Sequence, residues 1–172
     1  MKKVIALIVC TATLLSLLCG CGAEAKPSGS GISGEEVLAA FEEKLAPLAD
    51  QFQTTRQPRA ELEDGEICLP VVITDPLLER SYHLRLYCSP EGEATSAMLN
   101  ADRGTRTELN FAILSLYLYE SLGLPDIDAD SFYEDFSLLT EEPSGSMSAE
   151  GWNLAVIALD TFFTFSATYS AE

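Results

Sequence analysis

Ile67-Cys68-Leu69-Pro70-Val71-Val72-Ile73-Thr74-Asp75-Pro76-Leu77-Leu78-Glu79-Arg80-Ser81-Tyr82-His83-Leu84-Arg85-Leu86-Tyr87-Cys88-Ser89 contains two apolar runs rich in β-branched and aromatic residues, parted by a turn. Ile67 to Thr74 and Tyr82 to Ser89 are strand material, and Asp75-Pro76 opens the connection with turn chemistry. A hairpin symmetric about residue 78 opposes Thr74 to Tyr82, Val72 to Leu84, Pro70 to Leu86 and Cys68 to Cys88. Opposed residues of an antiparallel pair have α-carbons about 4.5–5.5 Å apart, within disulfide range, so this register predicts a Cys68–Cys88 bridge. The alternative is two separate buried thiols packing as small hydrophobes. The same register puts Val72, Tyr82, Leu84 and Leu86 on the cysteine side as a core surface. His83 and Arg85 fall on the other side, beside Leu69, Val71, Ile73 and Tyr87. Pro70 lacks an amide donor, which makes the first strand an edge or turns Pro70 to its unpaired side.

Working outward, Ala94 to Ala101 follows a five-residue turn and supplies a third, weaker strand. Upstream, Ser33 and Glu36 form a capping box, with Ile32 and Val37 as its hydrophobic staple. Val37, Phe41, Leu45, Leu48 and Phe52 then make one helical stripe, which Pro47 breaks near Ala46. Downstream, Thr105 and Glu108 form a second capping box, and Leu109 to Leu122 is apolar nearly all round. Such a helix belongs inside a domain, and Gly123-Leu124-Pro125 stops it. Asp130 caps a short helix through Phe132, Phe136 and Leu139, and residues 141–146 form a loop. From Ser148, the positions Leu154, Ala158, Thr161, Phe162, Phe165 and Tyr169 recur at helical spacing, although 161–169 is also good strand material. No internal repeat is visible. The expected fold is α+β: an N-terminal helix on a three-stranded antiparallel meander, followed by a buried helix and one or two further helices.

The chain has 172 residues, with 10 Lys and Arg against 27 Asp and Glu, and only one His. Lys2 and Lys3 precede an apolar run from Val4 to Leu18, which ends in Leu18-Cys19-Gly20-Cys21. This is an export-signal layout: a basic start, an apolar segment shorter than the roughly 20 residues of a spanning helix, and a small residue before the cut. Leu18 disfavours a cut before Cys19. The ending resembles the lipobox of bacterial lipoproteins, in which the Cys after the cleavage site receives a diacylglycerol. The resemblance covers residues 1–21 and implies lipidation of Cys21, with the protein exported and held by acyl chains on the outer face of the cytoplasmic membrane or on an outer membrane.

Removal of residues 1–20 takes two lysines and no acid. The mature 152-residue chain would then carry 8 basic and 27 acidic residues, a net charge of −19. That charge argues against nucleic acid, whose phosphates need Lys and Arg, and against docking on anionic lipid. Residues 21–31 are small and polar, a tether, and 32–172 is one domain. Cys21, Cys68 and Cys88 remain after cleavage, and lipidation of Cys21 leaves an even pair.

Motifs for chemistry are sparse. Asp126, Asp128 and Asp130 alternate like the first ligands of a calcium loop. The pattern then fails, because Ser131 stands where Gly is needed and Ser137 where a bidentate Glu is needed, so no metal and no other cofactor is expected. His83 has no nucleophile partner in the sequence, and no hydrolase, phosphate-loop or zinc motif occurs. Trp152, Phe162, Phe163, Phe165, Tyr117 and Tyr119 are either core or an aromatic site. The reading is a non-catalytic, lipid-anchored envelope protein that binds an unknown protein or extracellular ligand. The alternative is an envelope hydrolase with a site assembled from scattered carboxylates such as Glu108 and Glu120.

Overall fold

The computed structural model describes residues 29–104, 107–125, 127–132, 134 and 144–170. Helix α1 (Gly34–Leu45) runs into a 3-10 turn (Ala46–Leu48). Strands β1 (Gln53–Arg56), β2 (Ala60–Glu61), β3 (Ile67–Asp75), β4 (Arg80–Cys88) and β5 (Ala94–Asp102) follow. Helix α2 (Thr107–Ser121) then leads to β6 (Ser144–Ala149), β7 (Trp152–Ala158) and β8 (Phe162–Tyr169). The strands form one eight-stranded antiparallel sheet in the order β1-β3-β4-β5-β8-β7-β6, with β2 also paired to β3.

The expected fold, an N-terminal helix on a three-stranded meander followed by helices, is therefore not the one formed: a single eight-stranded antiparallel sheet dominates the molecule. Apart from β1 and β2, which pair with β3 and have no counterpart, and the short helix at 129–132, the order about the β5–β8 pair sets α1-β3-β4-β5 against α2-β6-β7-β8. Each αβββ unit so defined is a helix followed by a three-stranded meander, and the two sequences share no visible pattern. The expected terminal helix from Ser148 is instead the β6-β7-β8 meander. Trp152, Leu154, Val156 and Ala158 are buried at strand spacing, with Asn153 exposed and Ala155 and Ile157 half-buried between them. Glu150 (φ 46°) and Gly151 (φ 81°) join β6 to β7 in the two-residue, doubly left-handed turn that matches strand twist.

Local signals at the first unit are realised closely. The Ser33–Glu36 capping box is present, with the Ser33 amide donating to Glu36 Oε2 at 3.2 Å. Helix α1 stops at Leu45, before Pro47. Thr105 of the second expected capping box lies outside the described residues. Of the expected tether, residues 21–28 lie outside the described residues, and Ser30 N donates to Ala94 O at 3.0 Å, tying this point of the chain to the sheet.

The hairpin register differs from the expected one by one residue. Cys68 opposes Tyr87 and Ile67 opposes Cys88, so opposing numbers add to 155 and not 156. A one-residue slip exchanges the faces of a strand. Ile67, Leu69, Val71 and Ile73 therefore join Tyr82, Leu84, Leu86 and Cys88 in the core, while Val72 turns outward with His83 and Arg85. Both helices lie on that core face. Gly34 of α1 rests directly on Cys88, where a Cβ would overlap Sγ, and Phe111 of α2 stacks on Phe163 with ring centroids 5.4 Å apart. Arg56 binds Glu42 at 2.8 Å and Glu35 at 2.6 Å, fastening β1 to α1. Lys44 meets Glu120 at 2.7 Å between the helices.

Candidate functional site

Two of the most exposed large apolar side chains, Leu77 at 76 % and Leu109 at 54 %, stand beside one another on the helix-covered side. Leu77 is held out by the β3–β4 turn. Asp75 Oδ1 accepts the amides of Leu77 and Leu78 at 2.9 Å each, an Asx arrangement that closes the turn, and Glu79 completes it at φ 53°. Leu109 is exposed for a different reason. Helix α2 has no polar face, and its buried side already packs on the sheet, so apolar residues remain on the outside.

Between these leucines opens a cleft of about 440 Å3, lined by Gln51, Asp75, Leu77, Leu78, Leu109 and Asn110. Its floor is polar. Asn110 Nδ2 donates to Asp75 Oδ2 at 2.7 Å, and Gln51 Nε2 donates to Asn110 Oδ1 at 3.0 Å. Asp75 is 1 % exposed, a carboxylate held by three donors. The Tyr82 hydroxyl is buried nearby without a hydrogen-bond partner among the described residues. Burial raises its pKa, with Asn110 pulling the other way. A second apolar hollow of about 200 Å3 adjoins across Leu109 and continues past Ile113 and Leu116 to Phe132, with Asp130 at its edge. Leu109, Ile113 and Leu116 fall at i, i+4 and i+7, so the two hollows form one groove along α2.

The residues singled out by sequence lie elsewhere. Cys21 and Asp126 fall outside the described residues. Cys68 and Cys88 are both free and both buried. They point to opposite faces of the sheet: Cys68 lies near Arg85, whereas Cys88 lies under α1 near Glu35. Side chains directed away from each other do not meet bridge geometry, so the register that supported a disulfide is replaced by one that does not. Burial pushes the Cys88 thiol up to about 11 and raises Cys68 as well.

Asp128, and not Asp130, caps the short helix. Its Oδ2 accepts the Ser131 amide at 3.1 Å, while Asp130 is exposed at the groove edge. Among the described residues, no three His, Cys, Asp or Glu side chains stand close enough to hold a metal. His83 is exposed on β4 between Val72 and Asn100. Glu108 pairs with Arg103 at 3.0 Å and Glu120 with Lys44, at opposite ends of α2, about 18 Å apart along the axis. The aromatic set divides as well: Trp152, Phe163, Phe165 and Tyr119 are core, while Phe162 faces outward.

The sequence analysis missed Gln51, Leu77, Leu109 and Asn110. A usable signal was present in the adjacent leucines Leu77-Leu78 at a turn tip, where polar residues are usual. A scan against protein-family models, a search of curated proteins and a search of solved structures each found no match to this chain.

Proposed function

We propose that this chain is a lipid-anchored bacterial envelope protein, held through Cys21, that binds a protein partner in the groove along α2. The Leu18-Cys19-Gly20-Cys21 ending and the basic-apolar segment before it support the anchor. The observation that carries the binding role is the shared placement of Leu77 and Leu109, two highly exposed leucines that form the apolar rims of one cleft with a polar floor. Apolar groups at i, i+4 and i+7 along a helix suit a second amphipathic helix laid beside it. The matching partner surface is cationic, because Asp130 edges the groove and the chain carries 27 acids against 10 bases. Glu108 and Glu120 each have an ion-pair partner and do not converge, so no observation favours the hydrolase reading.

A synthetic peptide with Leu and Lys at helical spacing tests the groove. Titrated into the full chain and followed by NMR, it should shift the methyl signals of Leu77, Leu109, Ile113 and Leu116 at one-to-one saturation. Leu109→Glu should weaken it about tenfold, the factor that about 1.4 kcal/mol represents. Shifts centred away from α2, or equal binding of a Leu–Glu peptide, would overturn the assignment. The anchor is tested separately: mass analysis of the mature N-terminus should show acyl chains on Cys21, and membrane retention of a Cys21→Ser variant would refute it.

A further inference from the structure

The sheet has a second face, turned away from both helices and independent of the groove. Alternation places outward positions of β3, β4, β5, β6, β7 and β8 on it, and its composition departs from the rest of the surface. The full chain holds 27 acidic residues, yet among the described residues the outward strand positions of this face carry one acid, Asp102, and one permanent cation, Arg85. Val72, Met98, Ala155 and Ile157 are half-buried across its middle. Around them the face is hydroxyl and amide, and these groups bond to one another. Thr164 Oγ1 donates to Asn100 Oδ1 at 2.8 Å, and Ser148 Oγ donates to Asn153 Oδ1 at 2.8 Å. Polar groups already paired within a face lose little when water leaves it.

We infer that this face is where two copies of the chain associate, sheet against sheet. An antiparallel sheet with one solvated face carries polar residues on its outward positions, and in a chain with 27 acidic and 10 basic side chains many of these would ordinarily be charged. Here the charges have been kept off one face of a strongly acidic molecule. Elsewhere two copies would bring like charges together, whereas on this face Arg85 and Asp102 balance. The area suffices. Six strands about 4.8 Å apart and roughly 26 Å long present roughly 750 Å2 per copy, or roughly 1,500 Å2 for the pair, the range of a stable specific interface. Two twisted sheets pack about 10 Å apart with strands roughly aligned, so Met98 and Ala155 lie in the dry centre.

Sedimentation equilibrium of the full chain in density-matched detergent, over roughly 1 to 100 µM, reads the result directly. A dimer is expected, and it should tighten as salt rises, because screening removes repulsion between two acidic bodies. Met98→Glu should weaken association at least about tenfold, a loss of about 1.4 kcal/mol. Ser166→Glu, on the neighbouring strand opposite Met98, should do the same and covers the case in which the Met98 variant fails to fold. Ala39→Glu adds the same charge on exposed helix α1 and should leave the dimer intact. A monomer throughout, a dimer untouched by both face variants, or a monomeric chain that binds a neutral glycan through this face would overturn the inference.

Discussion

Replacing Asn110 with alanine removes the one side-chain donor to Asp75 Oδ2 among the described residues and leaves a carboxylate that is 1 % exposed short of a partner. A hydrogen bond to a charged group contributes about 1.5–3 kcal/mol, and an orphaned buried acceptor adds to the loss. The Gln51 bond to Asn110 Oδ1, at 3.0 Å and partly buried, contributes about 0.5–1 kcal/mol more. The adjoining cleft of about 440 Å3 lets water approach Asp75, which holds the total near 2–4 kcal/mol. Urea unfolding followed through Trp152, the single tryptophan and 2 % exposed, measures this cleanly. Asn110→Asp sharpens the test by placing a second carboxyl against Asp75, where both do not ionise together. The folded state then binds a proton more tightly than the unfolded chain, so this variant gains stability as pH falls and loses it as pH rises. A loss under about 0.5 kcal/mol in Asn110→Ala, together with a flat pH response in Asn110→Asp, would refute the view that Asp75 depends on Asn110.

Tyr82→Phe should change stability by less than about 1 kcal/mol, because the buried hydroxyl has no partner in full hydrogen-bond geometry among the described residues and only approaches Asn110; a loss above about 1 kcal/mol in the same unfolding assay would show that the contact with Asn110 is a full hydrogen bond. Gly34→Ala should destabilise by about 1–3 kcal/mol despite the better helix propensity of alanine, since its Cβ overlaps Cys88 Sγ, and Cys88→Ala in the same chain should restore most of it; a stabilised Gly34→Ala would contradict the packing. Cys88 rises from an ordinary 9.0 to about 11, chiefly by burial. Its contribution, about 2–3 kcal/mol, is present below pH about 9 and disappears as pH climbs toward about 11. Cys88→Ala should flatten the stability curve across that interval, and an unchanged curve would refute the assignment. Thiol titration of unreduced, denatured protein should find Cys68 and Cys88 both reactive.

Where structure depends on neighbours in the chain, the sequence determined it. Ser33 and Glu36 set the start of α1, Pro47 its end, Gly123 (φ 74°) the end of α2, and Asp75-Pro76 the position of the hairpin turn. Each is a local constraint on backbone donors or dihedrals, which the chain carries wherever it folds. The hairpin register was not local. Ile67 to Thr74 is apolar at both odd and even positions, so its pattern chose no face. The choice came from a four-residue loop, Pro76 to Glu79, closed by the Asp75 carboxylate and a left-handed Glu79, which shifted every partner by one and sent Cys68 and Cys88 to opposite faces. The second αβββ unit was also decided by tertiary contact. Leu154, Ala158, Phe162, Phe165 and Tyr169 satisfy a helical stripe, while Trp152, Leu154, Val156 and Ala158 satisfy a strand. Pairing settles the conflict: the free edge of β5 takes β8 from Ser96 opposite Thr168 to Asp102 opposite Phe162, and Gly151 permits the turn behind it. The groove along α2 follows from the same assembly, because only packing one side of an all-apolar helix on the sheet determines which leucines stay outside.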